Sequence, residues 1–433
     1  MTTTTFPLDA ARADSEADTV YRKVGLRLLP LLFLCYIAAY LDRVNVGFAK
    51  LQMQSALQFS DAIYGLGAGI FFIGYFIFEV PSNIFLHKAG ARRWIARIMI
   101  SWGLLSAASM FVWSPMSFYV IRFLLGAAEA GFFPGIILYL TYWYPADRRG
   151  RATSLFMSAV ACAGVIGGPL SCWILTSLNG TNGLAGWQWL FLLEGVPSIL
   201  LGFVVLFYLD DRVKDAKWLT KPERDLISRD VAAEETSKAE GSIFAALFNP
   251  KIWLLALVYF CFVSGLYGIS FWLPTIIKSL GVADPLDVGL LSAIPWSCGV
   301  VAMYFAARSA DRLRERRWHS AIPALVGAAG LVLSVSSPGN PVIAMVGLTI
   351  ATMGILTTLP IFWGLPTALL GGTAAAAGIA FINSFGNLSG FSAPFLIGVI
   401  KDMTHSTYAG LYLLAGLLFV GAMLVLRVRV ERR

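Results

Sequence analysis

The sequence predicts an all-α integral membrane protein with twelve transmembrane helices, arranged as two pseudo-symmetric six-helix bundles. The 433 residues are 58% hydrophobic and only 13% charged, whereas soluble domains carry about 25% charged residues. The apolar residues form twelve long runs, and a short basic motif recurs after the equivalent run in each half. The formal charge of +8 resides in short loops between the runs, so it indicates membrane topology rather than nucleic-acid binding.

Each apolar run is long enough to cross a bilayer as a helix, since about 20 residues span the hydrocarbon core. The 41 glycines fit this interpretation, because small residues let membrane helices approach one another closely. Pro360 and Pro366 make the tenth run the least regular. The twelve runs cover residues 24–47, 62–86, 94–113, 117–143, 152–178, 187–209, 251–277, 288–307, 318–336, 341–369, 373–400 and 406–428.

Loop charges predict the orientation, because cytoplasmic loops of membrane proteins are enriched in Lys and Arg. One set of alternate loops carries little beyond Lys50, Lys278 and Lys401. The other set is strongly basic, so we expect it and both termini to be cytoplasmic in a multi-pass protein of the cell inner (plasma) membrane. This set contains Lys88, Arg92, Arg93, Arg148, Arg149, Arg151, Arg308, Arg312, Arg314, Arg316, Arg317, Arg427, Arg429, Arg432 and Arg433.

The charge pattern divides the chain into four segments. Residues 1–20 are polar and partly acidic, which is typical of a disordered cytoplasmic tail. Residues 21–209 and 251–433 each hold six apolar runs, and the second segment ends in a short basic cytoplasmic tail. Residues 210–250 are charged and rich in helix formers. We interpret them as a cytoplasmic linker, because about 40 residues are too few to bury much of a core.

An internal repeat relates the two halves. Residues 87–94 (HKAGARRW) follow the second run, and residues 311–318 (DRLRERRW) follow the eighth, about half the chain away. The two copies match at basic and aromatic positions. Parallel halves of this sort are a transporter architecture, in which the substrate site lies between the halves near the middle of the membrane.

Two charged pairs interrupt the apolar runs. Such residues are candidates for function, because an ionisable side chain in hydrocarbon costs about 2.5–3.5 kcal/mol. Asp42 and Arg43 lie in the outward half of the first run, and Arg122 and Glu129 lie in the fourth. A spacing of seven residues places Arg122 and Glu129 on one face, about 10 Å apart along the axis. The outer halves of the two helices are therefore expected to share two acids and two arginines.

The charges of this cluster suggest an exchange of protons against an organic anion. With both acids ionised the cluster is neutral, and protonating Asp42 or Glu129 releases an arginine for a substrate carboxylate. Arginine suits this role, since its planar guanidinium holds a carboxylate through two parallel hydrogen bonds and stays charged. A static ion-pair network between the first and fourth helices is the structural alternative.

The twelve runs, the central linker and the two basic loops resemble the major facilitator superfamily. Its loop motif reads Gly-x-x-x-Asp-Arg-x-Gly-x-Arg-Arg or close to it, and the loop acts there as a cytoplasmic gating element. The matching positions are His87, Lys88, Gly90, Arg92 and Arg93 in the first copy, and Asp311, Arg312, Arg316 and Arg317 in the second. His87 stands where an acid is usual, so the first loop lacks the acid that forms the family's usual salt-bridge latch.

Three further stretches resemble the anion:cation symporter branch, which includes bacterial permeases for tartrate, galactonate, glucarate, phthalate and hydroxyphenylacetate. The stretches cover residues 40–45, 81–94 and 122–134. The resemblance implies that Asp42 and Glu129 take part in proton coupling. It also implies that Arg43 grips the substrate carboxylate and that Arg122 supports the charge network.

The second half differs from the first, because no charged residue occurs in residues 341–400. Asn383 and Asn387 lie one turn apart in the eleventh run, hence on one face of a helix. Their motif resembles the branch's pattern, in which asparagine contacts substrate hydroxyls. Helix packing through Gly386 and Gly390 is the alternative.

Four other residues stay open between a structural and a functional role. Tyr40 and Tyr75 match positions that the family uses around the substrate, although most membrane aromatics pack or anchor at interfaces. Glu79 and Glu194 are further buried acids in the second and sixth runs. Glu79 lies near the cytoplasmic end, where a contact with the basic loop competes with a role in transport.

Cysteine and histidine are placed for neither metal binding nor catalysis. The five cysteines lie in apolar stretches without metal-ligand spacing, and the three histidines lie at loops or helix ends. We expect no metal, no cofactor and no enzymatic activity. The leading prediction is a proton-coupled importer of a small organic anion (tartrate-like, sugar acid or aromatic carboxylate) that functions as a monomer. A metabolite or drug exporter of the same fold is the alternative.

Overall fold

The chain is helical throughout the part that the computed structural model describes. These residues are 7–235, 249–313, 315–336, 339–369 and 372–428, and they contain no strand. Part of the linker, Arg314 and the tail arginines Arg429, Arg432 and Arg433 lie outside the described residues, as does the side chain of His87.

The first half contains six membrane passages built from eight helices. Two passages are interrupted, so α4 with α5 and α6 with α7 each cross once. A linker helix, α9, follows. The bounds are α1 (Pro7–Leu57), α2 (Asp61–Ala89), α3 (Ala91–Ala108), α4 (Pro115–Glu129), α5 (Phe132–Thr141), α6 (Ala146–Met157), α7 (Ala159–Ser177), α8 (Gly186–Tyr208) and α9 (Lys221–Glu235).

The second half repeats this arrangement. Its helices are α10 (Pro250–Ser279), α11 (Pro285–Leu313), α12 (Arg317–Ser336), α13 (Pro341–Phe362), α14 (Gly364–Leu369), α15 (Gly372–Asn387), α16 (Ser389–Thr404) and α17 (Tyr408–Leu426). Eleven segments of the described chain are long and apolar enough to cross a membrane. The helices α15 and α16 together provide the twelfth passage, and the predicted fold class is confirmed.

The N-terminal segment differs from the expected disordered tail, because α1 already begins at Pro7. Asp18 of this segment pairs with Arg148 of α6. One turn further, the Lys23 ammonium lies 2.8 Å from the Glu223 carboxylate of α9. The Lys23 ammonium also holds the pKa of Glu223 below its usual range. From Asp18 onward, α1 therefore contacts α6 and the linker helix α9.

The fourth passage breaks directly after Glu129. Ala130 has extended backbone geometry, with φ −54° and ψ 131°, and Gly131 has a positive φ of 88°. The Ser82 side chain of α2 occupies the space that a Cβ at Gly131 would need. The glycine therefore fixes both the break and the position of Glu129 at the end of α4.

We expect Gly131→Ala to lower the free energy of unfolding by about 1–2 kcal/mol, because the left-handed conformation is costly for an L-residue. The clash with Ser82 adds to this cost. Thermal unfolding in detergent micelles measures the effect. Gly416→Ala is the control, since that glycine lies within α17 and has open space around it. Equal melting temperatures for the two variants would contradict the role assigned to Gly131.

The two halves meet mainly along three helix pairs: α1 with α10, α2 with α16, and α7 with α11. Glycine permits the close approach in these pairs. Gly47 lies against the backbone of Phe271, and Gly168 lies against Gly289. Side chains between these pairs are buried at the centre of the molecule, where the predicted charged residues converge.

Candidate functional site

Arg43 lies at the centre of the contact between the halves. Its side chain is 7% exposed. One terminal nitrogen of the guanidinium pairs with the Glu129 carboxylate of α4. The other terminal nitrogen donates to the Tyr267 hydroxyl of α10, at 3.3 Å. The structure thus brings together the predicted residues Arg43 and Glu129 and links them to the second half.

Polar side chains of the second half continue this network. The Tyr267 hydroxyl donates to Asn387 Oδ1 at 3.3 Å, and the Tyr40 hydroxyl lies 3.0 Å from Ser270 Oγ. The ring of Tyr75 has its centroid 5.6 Å from the Arg43 guanidinium, within the range of a cation–π interaction. The predicted residues Tyr40, Tyr75 and Asn387 therefore all lie around Arg43.

Arg122 is a second buried guanidinium close to the first. It is 1% exposed, and its only described hydrogen bond runs from Nε to the Gly67 carbonyl, at 3.4 Å. Both terminal nitrogens lack a partner within the described chain. Arg122 and Arg43 lie 5.1 and 5.6 Å from the centroid of the same ring, that of Phe71. The Glu129 carboxylate acts on Arg122 through its charge, but it accepts no hydrogen bond from Arg122, so the terminal nitrogens of this buried cation are available to an anionic ligand.

Asp42 does not join this cluster. Its carboxylate accepts hydrogen bonds from Trp102 Nε1 at 3.0 Å, Ser106 Oγ at 2.6 Å and Ser198 Oγ at 2.5 Å. These donors belong to α3 and α8, inside the first half. Successive residues on a helix point about 100° apart. Because Arg43 points toward the second half, Asp42 points into the first half. The cluster therefore contains three of the four expected charged residues: Arg43, Arg122 and Glu129.

Glu79 contacts the second half rather than the basic loop. Its carboxylate accepts from Asn383 Nδ2 at 3.4 Å and from Ser384 Oγ at 3.1 Å. The predicted residue Asn383 is therefore already engaged by an acid in this structure, whereas Asn387 is engaged by Tyr267. Glu79 is 6% exposed and provides a second polar link between α2 and α15.

A polar clasp, formed by Lys50, Asp61, Lys401 and Asp402, joins the halves at the end opposite the basic loops. The Asp61 carboxylate lies 2.6 Å from Lys50 Nζ and 3.1 Å from Lys401 Nζ. Asp402 accepts from the backbone N–H of Asp61 at 3.0 Å, at the start of α2. Lys50 Nζ also lies 3.6 Å from the centroid of the Trp272 ring. The sequence does not reveal this cluster, because Lys50 and Lys401 have the same sequence context as ordinary loop charges.

We expect Asp61→Asn to favour opening at the clasp. The change leaves the buried Lys50 without its carboxylate, and breaking a buried pair costs about 3 kcal/mol or more. Such a loss shifts the ratio of closed to open molecules by about a hundredfold. Spin labels at Ala56 and Met403, both exposed at this end, report the separation of the halves through their distance distribution.

The control for this experiment is Asp287→Asn, since Asp287 is exposed at the same end and lies outside the clasp. Native cysteines are replaced by serine before labelling. A distance distribution that is the same in Asp61→Asn and in the control would remove the clasp as a determinant of closure.

At the basic-loop end, a linker residue replaces the acid that the first loop lacks. The Asp211 carboxylate accepts from the Arg92 backbone N–H at 2.8 Å, and its other oxygen lies 4.0 Å from Arg92 Nε. Gly90 has a positive φ of 86°, and Asp211 occupies the space beside it. The first loop thus keeps an acidic partner, although His87 stands at the usual position.

The second basic loop is held by its own acids. Arg316 pairs with Asp311 at 3.1 Å, and Arg317 donates to the Leu426 carbonyl. Glu315 accepts from the Trp318 backbone N–H at 2.9 Å. Burial raises the pKa of Glu315, but the backbone N–H of Trp318 and the neighbouring donors outweigh this and hold its pKa below the usual range. Neither Lys88 nor Arg93 nor Arg312 has a described ion pair.

Helices in two similar halves around a buried, charged site define a multi-pass membrane transport protein and not an enzyme. The chain belongs to the Major Facilitator Superfamily, whose family model matches residues 32–394. Within the described residues, no cluster of metal-ligating side chains accompanies the site.

Two bacterial relatives align over nearly the whole chain. A putative tartrate transporter of Agrobacterium vitis is 50% identical over 409 residues, which cover 94% of this chain and 90% of the relative. A quinolone resistance transporter of Acinetobacter baumannii is 40% identical over 425 residues, which cover 97% of each. The inward open structure of the xylose transporter XylE from E. coli shares the fold, with a TM-score of 0.75, 13% identity, and coverage of 94% and 97%.

Proposed function

We propose that the protein carries a small organic anion into the cell together with protons, and that tartrate-like hydroxy acids are the substrate class. The observation that carries this proposal is the buried guanidinium of Arg122. It lies close to Arg43, and its terminal nitrogens have no hydrogen-bond partner. The tartrate transporter relative supports the same substrate class. Aromatic carboxylates and sugar acids with a single carboxylate are less favoured, because two buried arginines suit an acid with two carboxylates.

The arrangement of the site suggests how such an anion would be held. One carboxylate would take the fork of Arg43, in place of Glu129, and the other would reach the free nitrogens of Arg122. The Phe71 ring lies beside both guanidiniums and fits the carbon backbone of a short acid. Tyr267 and Asn387 are the nearest donors and acceptors for hydroxyl groups.

Proton coupling would act through Glu129. When Glu129 is ionised it forms an ion pair with Arg43, as it does in this structure. A proton on Glu129 removes the opposite charge, and Arg43 then favours the substrate carboxylate. The anion binds the protonated form better, and this differential affinity is what links the two movements. Asp42 belongs to the proposal as a second proton-coupling residue, although it acts from inside the first half.

The proposed orientation places the basic loops, the linker and both termini on the cytoplasmic side of the inner membrane. The segments 21–209 and 251–433 then act as the two moving bundles of a monomer, joined by the linker at 210–250. The basic loops would serve as gating elements on the cytoplasmic side, and the polar clasp would close the periplasmic side.

Export is the second candidate function, and the quinolone resistance transporter at 40% identity favours it. The two functions differ in the preferred ligand. An importer of the proposed kind needs an anionic ligand for Arg43 and Arg122, whereas quinolones offer a single carboxylate on a large aromatic system.

The experiment is a thermal-shift panel of organic acids, followed by uptake of the hits into proteoliposomes under an imposed pH gradient. We expect tartrate-like dicarboxylates to raise the melting temperature most, and an inward proton gradient to drive their accumulation. A panel with only neutral or cationic hits would exclude the anion assignment. Movement of the hits against the proton gradient, with no accumulation along it, would favour export.

A further inference from the structure

Glu194 and Asp42 lie close together inside the first half, on the side of α1 that faces away from Arg43. Glu194 is 4% exposed. Its Oε1 accepts from Ser171 Oγ at 2.7 Å, and its Oε2 has no hydrogen-bond partner. Ser198, one turn further along α8, donates to Asp42. The proposed transport mechanism uses Asp42 but gives no role to Glu194.

No cation contacts either of these two acids in the described part of the chain, and the Arg122 guanidinium acts on Asp42 only across a longer distance. Every described donor to Asp42 is uncharged, and so is the Ser171 hydroxyl that donates to Glu194. Arg43, the neighbour of Asp42 in sequence, pairs with Glu129 on the other side of α1. Two ionised carboxylates without a counter-ion are costly to bury. At least one of the two therefore holds a proton.

The hydrogen bonds distinguish the two acids. Both oxygens of Asp42 accept hydrogen bonds, from three donors in all, which is the pattern of an ionised carboxylate. Glu194 accepts one hydrogen bond of ordinary length, and the Asn45 amide lies near its Oε2 but beyond hydrogen-bond distance. Asn45 is 1% exposed, and neither atom of its side-chain amide has a partner. A proton on Glu194 Oε2 would give both side chains a partner, with Asn45 Oδ1 as the acceptor.

We propose that Glu194 is a proton-binding residue, protonated while Asp42 is ionised, and that the two carboxyls exchange one proton during transport. The proton leaves Glu194 Oε2 and arrives at an oxygen of Asp42, so that the ionised and neutral acids change places. The exchange rests on the proposed proton coupling, whereas the protonation of Glu194 does not.

Few other groups can titrate in this region. From α1, Asp42 is the titratable neighbour of Glu194, and from α7 it is the Cys172 thiol. The side chains of α3 that contact Asp42 are Trp102 and Ser106, which do not titrate at ordinary pH. A protonated carboxyl observed here is therefore assigned by substituting the two acids one at a time.

Infrared spectroscopy of the purified protein in lipid at neutral pH tests the protonation of Glu194. We expect the carboxylic C=O stretching band to lose intensity in Glu194→Gln and to keep it in Asp42→Asn. An unchanged band in Glu194→Gln would overturn the proposal. Ser171→Ala provides a second variant in case Glu194→Gln fails to fold. It removes the hydroxyl that donates to Glu194, so the band should shift in frequency, and an unshifted band also contradicts the assignment.

Transport in proteoliposomes tests the exchange. In Glu194→Gln we expect accumulation driven by a pH gradient to fall about tenfold or more, while exchange of internal for external substrate stays within about twofold of wild type. If Glu194→Gln loses the infrared band but accumulates substrate like wild type, Glu194 binds a proton that takes no part in transport, and the proposed exchange is wrong. If the wild type shows no proton-driven uptake, the proposed function fails, while the infrared result still decides the protonation.

Discussion

Arg43→Lys is expected to weaken binding of the organic anion by about ten- to a hundredfold. Hydrogen bonds to charged groups contribute about 1.5–3 kcal/mol, and lysine offers a single point charge in place of the planar fork. The variant keeps the positive charge beside Glu129, so the loss reports geometry rather than charge. Ligand titration monitored by melting temperature or calorimetry measures the effect, with the acids found in the panel.

Arg229→Lys is the matched control, because that arginine is exposed on the linker helix far from the site. Arg122→Lys is the informative companion. If Arg43→Lys binds the anion as tightly as wild type while Arg122→Lys does not, Arg122 rather than Arg43 binds the substrate carboxylate. If neither change matters, the two buried arginines serve the structure alone.

The sequence reveals the charged site because charges inside apolar runs are costly. Asp42 and Arg43 in the first passage lie at a depth close to that of Arg122 in the fourth, which predicts that the charges of the two passages lie near one another. The ion pair of Arg43 with Glu129, 86 residues apart in sequence, also depends on the face that each side chain presents. The twelve runs and the repeated basic loops likewise predict the two halves, since run length and loop charge are local properties.

The direction in which the Asp42 side chain points could not be predicted from its depth in the membrane. The first run is apolar on all sides, so its pattern does not fix how the helix rotates, and only packing against α3 and α8 does. Contacts between residues far apart in sequence could not be predicted either. Asp211 replaces the missing acid of the first loop from 119 residues away, and Asp402 caps α2 from 341 residues away. Such contacts depend on which helix ends meet in the fold.

The two halves contribute different chemistry to the site. Arg43, Arg122 and Glu129 come from the first half, whereas Tyr267 and Asn387 come from the second and are neutral. Charge confined to one half lets the protonation state change without breaking an ion pair between the halves. The hydrogen bond from Arg43 to Tyr267 joins a charged group to a neutral one, so the halves can move apart here without separating two opposite charges.

Glu129→Gln is expected to abolish accumulation driven by a pH gradient while preserving substrate exchange. Glutamine keeps the shape of Glu129 and can still accept from Arg43, but it carries no charge and binds no proton. In wild type, binding of the anion should tighten as pH falls, because protonation of Glu129 releases Arg43. In the variant, binding should be tight at every pH, about tenfold tighter than wild type where Glu129 is ionised.

The measurement needs a substrate that is fully ionised over the whole pH range, so that only the protein titrates. Glu79→Gln is the control, since Glu79 is a buried acid that contacts Asn383 and Ser384 but not Arg43. It should keep the pH dependence of binding and gradient-driven accumulation. Wild-type pH dependence in Glu129→Gln would remove Glu129 from proton coupling and leave the Arg43–Glu129 pair as a structural contact. Loss of pH dependence in both variants would instead show that any buried acid between the halves affects coupling, through the movement of the halves rather than through Arg43.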